Sequence, residues 1–597
     1  METGHNRRHR DSNSLFINKN ISNLGNIGKT IVSESRPSSI DYYWFTVNKN
    51  ALLNIFDFVT VKNLRDTRTI GIVQDMIAEI SKVEMESSLA NTNSIKDPTH
   101  HDEHNYNREY ILAKVAIIGN TGIKSREGRS HKTMSVNFPV TTGKDVRFST
   151  KEEVLFSLGI PKMETPISAG IIELSSGLQL PISLDMTYLA GPDTAHVNIS
   201  GISGNRKSSY ILFLLQSAYQ TLRKIEKSQK NQERKGACLI IFNTKEDDLL
   251  YLDQKKERRE MGIEAKRAFE ILDLNIEAFD NVTYFLPRGK DGEPKSLHVP
   301  RYFKTYSYEL KDIFDRLDLL FSSTVDQHDI LPIVNYIRES WPLEDSTGKN
   351  ISNWTDLSRF TEYPKSIVSH ISSLQDFISH IHRFRESSMF VDRKVKSTYL
   401  GNQITNVKTG DVFVIDIAPL PSIEEQAFVI GDVLKSINEL YSVRYSNIDH
   451  KDISATNQDN RFQRPRTHDI GKLPKYILIF LDEINRFIPK SHYFPKFNPV
   501  SEEIMRLVIG GRSRGNILFS AQQFKSATDY RFQENIDLHI FAKLGLSELI
   551  TGPYYSMIDD AVKKNIARLE RGELVLVHPA FRYPLKIWFP PSSYKRK

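Results

Sequence analysis

The sequence predicts an α/β fold: a mostly parallel sheet covered on both faces by helices, preceded by a small β-barrel or sandwich and interrupted by a helical insertion. Three observations predict it. Short β-prone runs crowd residues 42–189, apolar strands alternate with amphipathic helices from residue 195 onward, and between about 305 and 390 the periodicity is helical alone. The 597 residues allow roughly four units of about 150 residues. With 39% apolar and 10% aromatic residues, global disorder is excluded. Lys and Arg number 80 against 73 Asp and Glu, a net +7, so any nucleic-acid partner must be met by local patches rather than bulk charge. The single cysteine, Cys238, cannot form an intrachain disulfide. No signal-peptide pattern opens the chain, and no apolar run approaches the roughly 18–20 residues of a spanning helix, so a soluble cytoplasmic protein is expected.

In chain order, residues 1–38 are polar and Asn/Ser-rich and read as a flexible tail. Residues 39–190 carry YYWFTV, ALLNIFDFVTV, TIGIVQDMI, YILAKVAIIG and MSVNFPV, the closely spaced runs of a small barrel. Their polar loop at 91–107 holds His100, His101, Asp102, Glu103 and His104; adjacent ligands on one loop rarely close a coordination sphere, so this reads as a solvated loop. A first core segment, 191–304, has strand candidates at 195–200, 237–243 and 282–286. A helix over 207–229 places Ile211, Leu214, Leu215, Ala218, Leu222 and Ile225 on one face. The helical insertion takes 305–390. A second core segment, 391–550, has strands at 412–417, 476–481, 516–520 and 539–544. Its helix over 422–441 opens with Pro421 and a capping box of Ser422 and Glu425. Within it, residues 446–471 are polar and hold Lys451, Arg461, Arg464 and Arg466, candidates for contacts to nucleic-acid phosphates. Residues 551–597 form a carboxyl-terminal segment.

Two motifs carry chemistry. In HVNISGISGNRKSSY, residues 196–210, a strand runs into a glycine-bearing loop and an amphipathic helix follows at once. Gly201, Ser203, Gly204, Asn205 and Arg206 form the loop, with Lys207, Ser208 and Ser209 opening the helix. Glycines let backbone N–H groups turn toward phosphates and the helix start adds positive potential. Lys207 reaches the β and γ oxygens, and Ser208 ligates magnesium. Arg206 stands where the usual motif has a glycine. In YILIFLDEINRF, residues 476–487, an apolar strand ends in Asp482 and Glu483. That places two carboxylates at the edge where ligands sit in open α/β sheets: Asp482 for the magnesium shell, Glu483 to polarise an attacking water. Farther on, IMRLVIGGRSR supplies Arg512 and Arg514, able to neutralise a transferring phosphoryl group in this subunit's site or a neighbouring subunit's. The strand NILFSAQQ ends in Gln522 and Gln523, where a glutamine can sense the γ-phosphate.

Taken together, the early barrel, HVNISGISGNRKSS, ACLIIFNTKEDDLLYLD, GDVFVIDIAPL, FLDEINRFIP, GGRSRGNILFSAQQ and LERGELVLVHPAFRYPLKIWFP resemble the HerA family of HerA/FtsK ring ATPases, over about residues 40–593. The resemblance implies a RecA-like P-loop ATPase core with an N-terminal β-barrel and an inserted helical bundle, using ATP and Mg2+ and assembled as a homohexamer around double-stranded DNA. It implies Lys207, Glu483, Arg512 and Gln522 as catalytic residues, to which the residue pattern itself adds Arg514. It also implies an effector subunit, a nuclease or a sirtuin-like NAD hydrolase, docked on the barrel, as in anti-phage defence or DNA end processing. The competing expectations are a slow ATPase that scaffolds its effector without moving DNA, for which Arg206 speaks, and a monomeric P-loop enzyme.

Overall fold

A computed structural model describes residues 25–80, 109–124, 133–134, 137–190, 195–228, 236–322, 327–368, 370–449, 474–490, 498–556 and 558–596. The histidine-bearing loop at 91–107 and Lys451, Arg461, Arg464 and Arg466 lie outside them.

Six antiparallel strands close the first unit. They are β1 (Asn26–Ile31), β2 (Tyr42–Val47), β3 (Phe58–Lys62), β4 (Arg68–Ile80), β5 (Glu109–Asn120) and, after a short ladder of β6 (Ile123–Lys124) with β7 (Thr133–Met134), β8 (Asp145–Phe148). They pair in the order β1-β2-β5-β4-β3-β8 as a closed barrel, which removes sheet edges and fills its interior with Tyr43, Phe45, Val59, Val61, Val115 and Val146. The expected tail at 1–38 therefore needs correcting at its end, because β1 belongs to the barrel. That strand is poor in apolar residues, and its place depends on Gly28: a Cβ there would meet the Thr46 carbonyl oxygen at 2.0 Å and the Phe45 ring at 2.7 Å. Sequence hydrophobicity carries no trace of such a backbone approach.

The second unit is built on a 12-stranded sheet. In chain order its strands are β9 (Pro166–Glu173), β10 (Gln179–Asp185), β11 (Val197–Ser200), β12 (Ala237–Asn243), β13 (Val282–Pro287) and β14 (Phe303–Tyr306). After a two-strand ladder in the insertion, β15 (Leu343–Glu344) with β16 (Asn350–Ile351), come β17 (Val412–Asp416), β18 (Tyr476–Leu481), β19 (Asn516–Gln522), β20 (Leu538–Phe541), β21 (Glu573–Val577) and β22 (Leu585–Trp588). The order is β10-β9-β22-β21-β20-β11-β19-β18-β12-β17-β13-β14. From β20 to β14 every neighbouring pair is parallel, and β21, β22, β9 and β10 continue the sheet antiparallel. Two boundaries shift accordingly. Residues of β9 and β10, expected in the barrel unit, and those of β21 and β22, expected as a separate carboxyl-terminal segment, form one antiparallel wing of the core sheet. Local alternation alone cannot say which sheet a strand joins.

Both faces of the parallel part are covered, as its unbroken apolar strands require. On β12, Leu239 and Ile241 pack on one side with Ile211, Leu214 and Leu215 of the Lys207–Ser228 helix, whereas Cys238, Ile240 and Phe242 pack on the other with Phe428, Ile430 and Leu434 of the Ile423–Asp449 helix. The Pro499–Gly510 helix lies on that second side. So does the insertion, whose helices include Gln327–Glu339 and Ile371–Arg385. It is tied down by the buried Arg316, which pairs with the fully buried Asp432 at 2.7 Å. Removing Arg316 would leave the Asp432 carboxylate buried without its cation, at a cost of about 3–5 kcal/mol. At the start of the Ile423–Asp449 helix only half of the expected capping box forms. Ser422 Oγ accepts from the Glu425 N–H at 3.1 Å, but the Glu425 carboxylate accepts instead from Ser387 Oγ at 3.0 Å. Among the described residues, no helix is long and apolar enough to cross a membrane.

Candidate functional site

Strand β11 delivers the chain to the carboxyl edge of the sheet, where Gly201 opens the loop. Only glycine fits there, since a Cβ would meet that of Ala542 at 2.7 Å. The loop is pinned at its start by Gly201 N–H donating to the Gln522 carbonyl at 3.3 Å and Ile202 N–H donating to the Lys543 carbonyl at 3.0 Å. Gly204 (φ 84°) and Arg206 (φ 57°) are both left-handed, and a Cβ built on Gly204 would meet nothing within 4 Å, so the loop faces open space. Arg206 thus adopts the conformation that a glycine would supply, at a cost of about 1–3 kcal/mol, and the turn survives the substitution. Its guanidinium lies toward Gly572, 3.5 Å from where a Cβ on that residue would stand.

Lys207 begins the helix and its ammonium donates to the Ile202 carbonyl at 3.1 Å, folding back over the loop. Burial pulls the ammonium below its ordinary pKa; Asp482 and Glu483 oppose this and Lys245 adds to it. Ser208 Oγ donates to Asp482 Oδ2 at 2.7 Å. Two hard oxygen donors from separate elements therefore stand side by side below the loop, a set that fits a Mg2+ ion, which takes one or two protein oxygens and completes its shell with water and phosphate. Glu483 follows with φ 52°, a left-handed glutamate of the kind that strain concentrates at functional sites. Its carboxylate is clasped by Lys245 Nζ at 2.6 Å and by Arg486 at 3.1 Å. Lys245, at the tip of β12, and Arg486 were not singled out from the sequence; a lysine just past the second parallel strand was the available signal for the first.

The remaining predicted residues fall elsewhere. Gln522 reaches the foot of the loop through its carbonyl, but its side chain lies on the sheet face opposite the Lys207–Ser228 helix. There its amide donates to Asn198 Oδ1 at 2.9 Å and Ser200 Oγ at 3.3 Å. Gln522 is buried, and its Oε1 has no partner among the described residues. Arg512 and Arg514 precede β19, at the amino edge, and Arg512 pairs with Asp537 at 3.6 Å. Seven residues of strand separate them from their own chain's loop, roughly 20 Å. The structure does not bring them to that loop. Ser203, Asn205 and Ser209 stand in the loop or the helix's first turn; Asn205 closes the loop by donating to the Ile202 carbonyl at 3.3 Å.

No protein-family model and no curated protein matches the chain. Among solved structures it is similar to VirB4 of Thermoanaerobacter pseudethanolicus, with a TM-score of 0.38 and 12% identity, over 71% of this chain and 96% of that one. It is also similar to the bacterial conjugative coupling protein TrwBdeltaN70, with a TM-score of 0.37 and 10% identity over 72% and 91% of the two chains. A third is the genome packaging NTPase B204 from Sulfolobus turreted icosahedral virus 2, in complex with AMPPCP. Here the TM-score is 0.21 and the identity 14%, over 32% of this chain and 70% of that one. The overlaps are low, and the reading of the site rests on its own residues.

Proposed function

We propose that this chain is an ATP-hydrolysing subunit of a homohexameric ring motor that moves double-stranded DNA and works with an effector subunit, a nuclease or an NAD hydrolase, docked on its barrel. The observation that carries the ATPase reading is the Ser208–Asp482 contact beneath the loop. It joins a helix start and a strand end, 274 positions apart in sequence, in the arrangement that phosphoryl transfer to water needs. Loop 201–206 and the first-turn amides hold the phosphate oxygens, and Lys207 neutralises the β and γ groups. Mg2+, when bound between Ser208 and Asp482, supplies further charge neutralisation. Glu483, once turned out of its clasp, orients the attacking water and accepts its proton. Arg512 and Arg514, at the opposite edge, serve the site of a neighbouring copy, which is the argument for a ring. The DNA and effector assignments come from the family resemblance.

Lys207→Ala should abolish ATP hydrolysis by the purified full-length protein, and turnover at the unaltered rate would overturn the reading. The slow-scaffold alternative is favoured by one observation, the two-cation clasp on Glu483. Double-stranded DNA decides between them: stimulated turnover supports the motor, and unchanged turnover across a range of salt supports the scaffold.

A further inference from the structure

Beside the loop lies a second group of cations that the motifs above leave unassigned. The segment of residues 592–596 runs back along the Lys207–Ser228 helix and is fixed there by its own hydrogen bonds. Ser593 Oγ donates to the Glu277 carbonyl at 2.6 Å and receives the Gln216 amide at 2.9 Å. The Lys256 N–H donates to the Ser593 carbonyl at 3.0 Å, and the Lys595 N–H donates to the Gln254 carbonyl at 2.7 Å. Tyr594 is buried between Phe279 and the segment's own turn. The whole anchorage aims one side chain. Arg596 reaches the first turn of the helix, where its guanidinium donates to Ser209 Oγ, and it pairs more loosely with Asp248 at 3.6 Å.

Arg596 does not stand alone. Lys256 extends from the loop after β12, its ammonium 3.4 Å from Ser592 Oγ. Burial, followed by the neighbouring charge of Arg596, pulls that ammonium below its ordinary value; Glu260 opposes the shift, and Arg206 adds to it. Arg596 and Lys256 thus stand together beside the first turn of the helix, with Arg206 of the loop near enough for its charge to act on Lys256, and the three cations share Asp248 and Glu260 as their carboxylates, a surplus of positive charge that suits a bound anion. Their position along the helix says which anion. Ser208, facing Asp482, marks the β,γ end of a bound triphosphate. Ser209 is one residue on and about 100° farther around the helix, so a group bound to it stands beyond the β-phosphate.

We infer that Arg596, steadied by Asp248 and supported by Lys256, binds the α-phosphate of the nucleotide, making the 592–596 segment part of the nucleotide site. This rests on the ATPase reading and deepens it. A guanidinium offers two parallel N–H donors to a phosphate, which suits a group recognised through its oxygens.

The test is competition binding on the full-length protein, with ATP, ADP and inorganic pyrophosphate as competitors of a fluorescent ATP analogue. Arg596→Ala should weaken ATP and ADP about tenfold while leaving pyrophosphate, which fills only the β,γ positions, within twofold. Arg596→Lys should recover part of the loss, and Lys256→Ala should weaken ATP in the same direction by a smaller factor. ATP affinity within twofold of wild type in Arg596→Ala would overturn the inference. So would an equal loss for pyrophosphate, since that would mean Arg596 merely braces the loop. Lys207→Ala keeps the two readings apart. If it loses both ATP and pyrophosphate while Arg596→Ala loses neither, only the α-phosphate assignment fails; if it binds both normally, the ATPase reading fails beneath it.

Discussion

The carboxyl edge of the parallel sheet gathers Lys207, Ser208, Asp482, Glu483 and Lys245 into one cluster, four of them tied by contacts of 2.7 Å or less. At the amino edge of the same strands Arg512 meets Asp537, and His196 is locked between backbone groups. Strands β11 and β19 are parallel, so the residues that end β11 and those that precede β19 cannot share an edge. The difference teaches that the candidate phosphate and metal residues share one edge while the arginines stand at the other, so that on the proposed reading the arginines can serve only another copy's site.

The largest expected effect tests that division. Arg512→Ala should lower turnover by about 10³-fold or more if its guanidinium completes a neighbour's site. Structural damage at the Asp537 pair would also lower turnover, so mixing decides. Arg512→Ala subunits have an intact loop and Lys207→Ala subunits an intact arginine. Each should be inactive alone, and co-assembled they should regain ATPase activity at mixed interfaces. No recovery on mixing, with assembly verified by particle mass, would return Arg512 to a structural role.

Next in size is Glu483→Gln, expected to bind ATP and to hydrolyse it about 10²–10⁴-fold more slowly. Because Lys245 and Arg486 both grip this carboxylate, the amide also weakens the clasp. Unchanged single-turnover hydrolysis would mean that another group positions the water.

How far the sequence could foresee this comparison depends on the interaction involved. The carboxyl edge was legible because strand, glycine loop and amphipathic helix are contiguous, and because Asp482 and Glu483 end an apolar run whose placement follows from parallel topology. The amino edge was legible only as residue types: a helix stop rich in glycine and arginine fits a cap as well as a catalytic group, and its edge became clear only with the strand order. Gln522 was placed correctly at a strand tip, but the β-alternation that turns its side chain to the far face depends on register with Asn198 and Ser200. Lys245 and Arg596 approach from loops, where no periodicity marks direction. β1 and the β9–β10 hairpin were misassigned for a related reason, since partnership between strands is a long-range choice.

The smallest effect concerns stability at the amino edge. His196 Nδ1 accepts the Leu518 N–H at 3.0 Å, so Nε2 carries the proton it gives to the Val508 carbonyl at 2.9 Å. A second proton has no acceptor to go to and would break the Leu518 bond. Burial, chiefly, with the Arg512 charge adding and the Val508 carbonyl opposing, lowers the imidazole to about 4 from 6.5. The unfolded chain therefore binds more protons than the folded one between pH 4 and 6.5. Stability is full above about pH 6.5, falls as pH drops through that window, and levels off below it, by up to about 3 kcal/mol. Asp416, raised by burial to about 6, works in the opposite sense over pH 4 to 6, so the wild-type curve alone blurs the two. The difference between wild type and His196→Gln isolates the histidine. The variant should be less stable at pH 7 and converge toward wild type as pH falls to 4.5 in urea unfolding series. Parallel curves would show that His196 binds its proton equally well folded and unfolded, and that the fold does not hold the imidazole neutral.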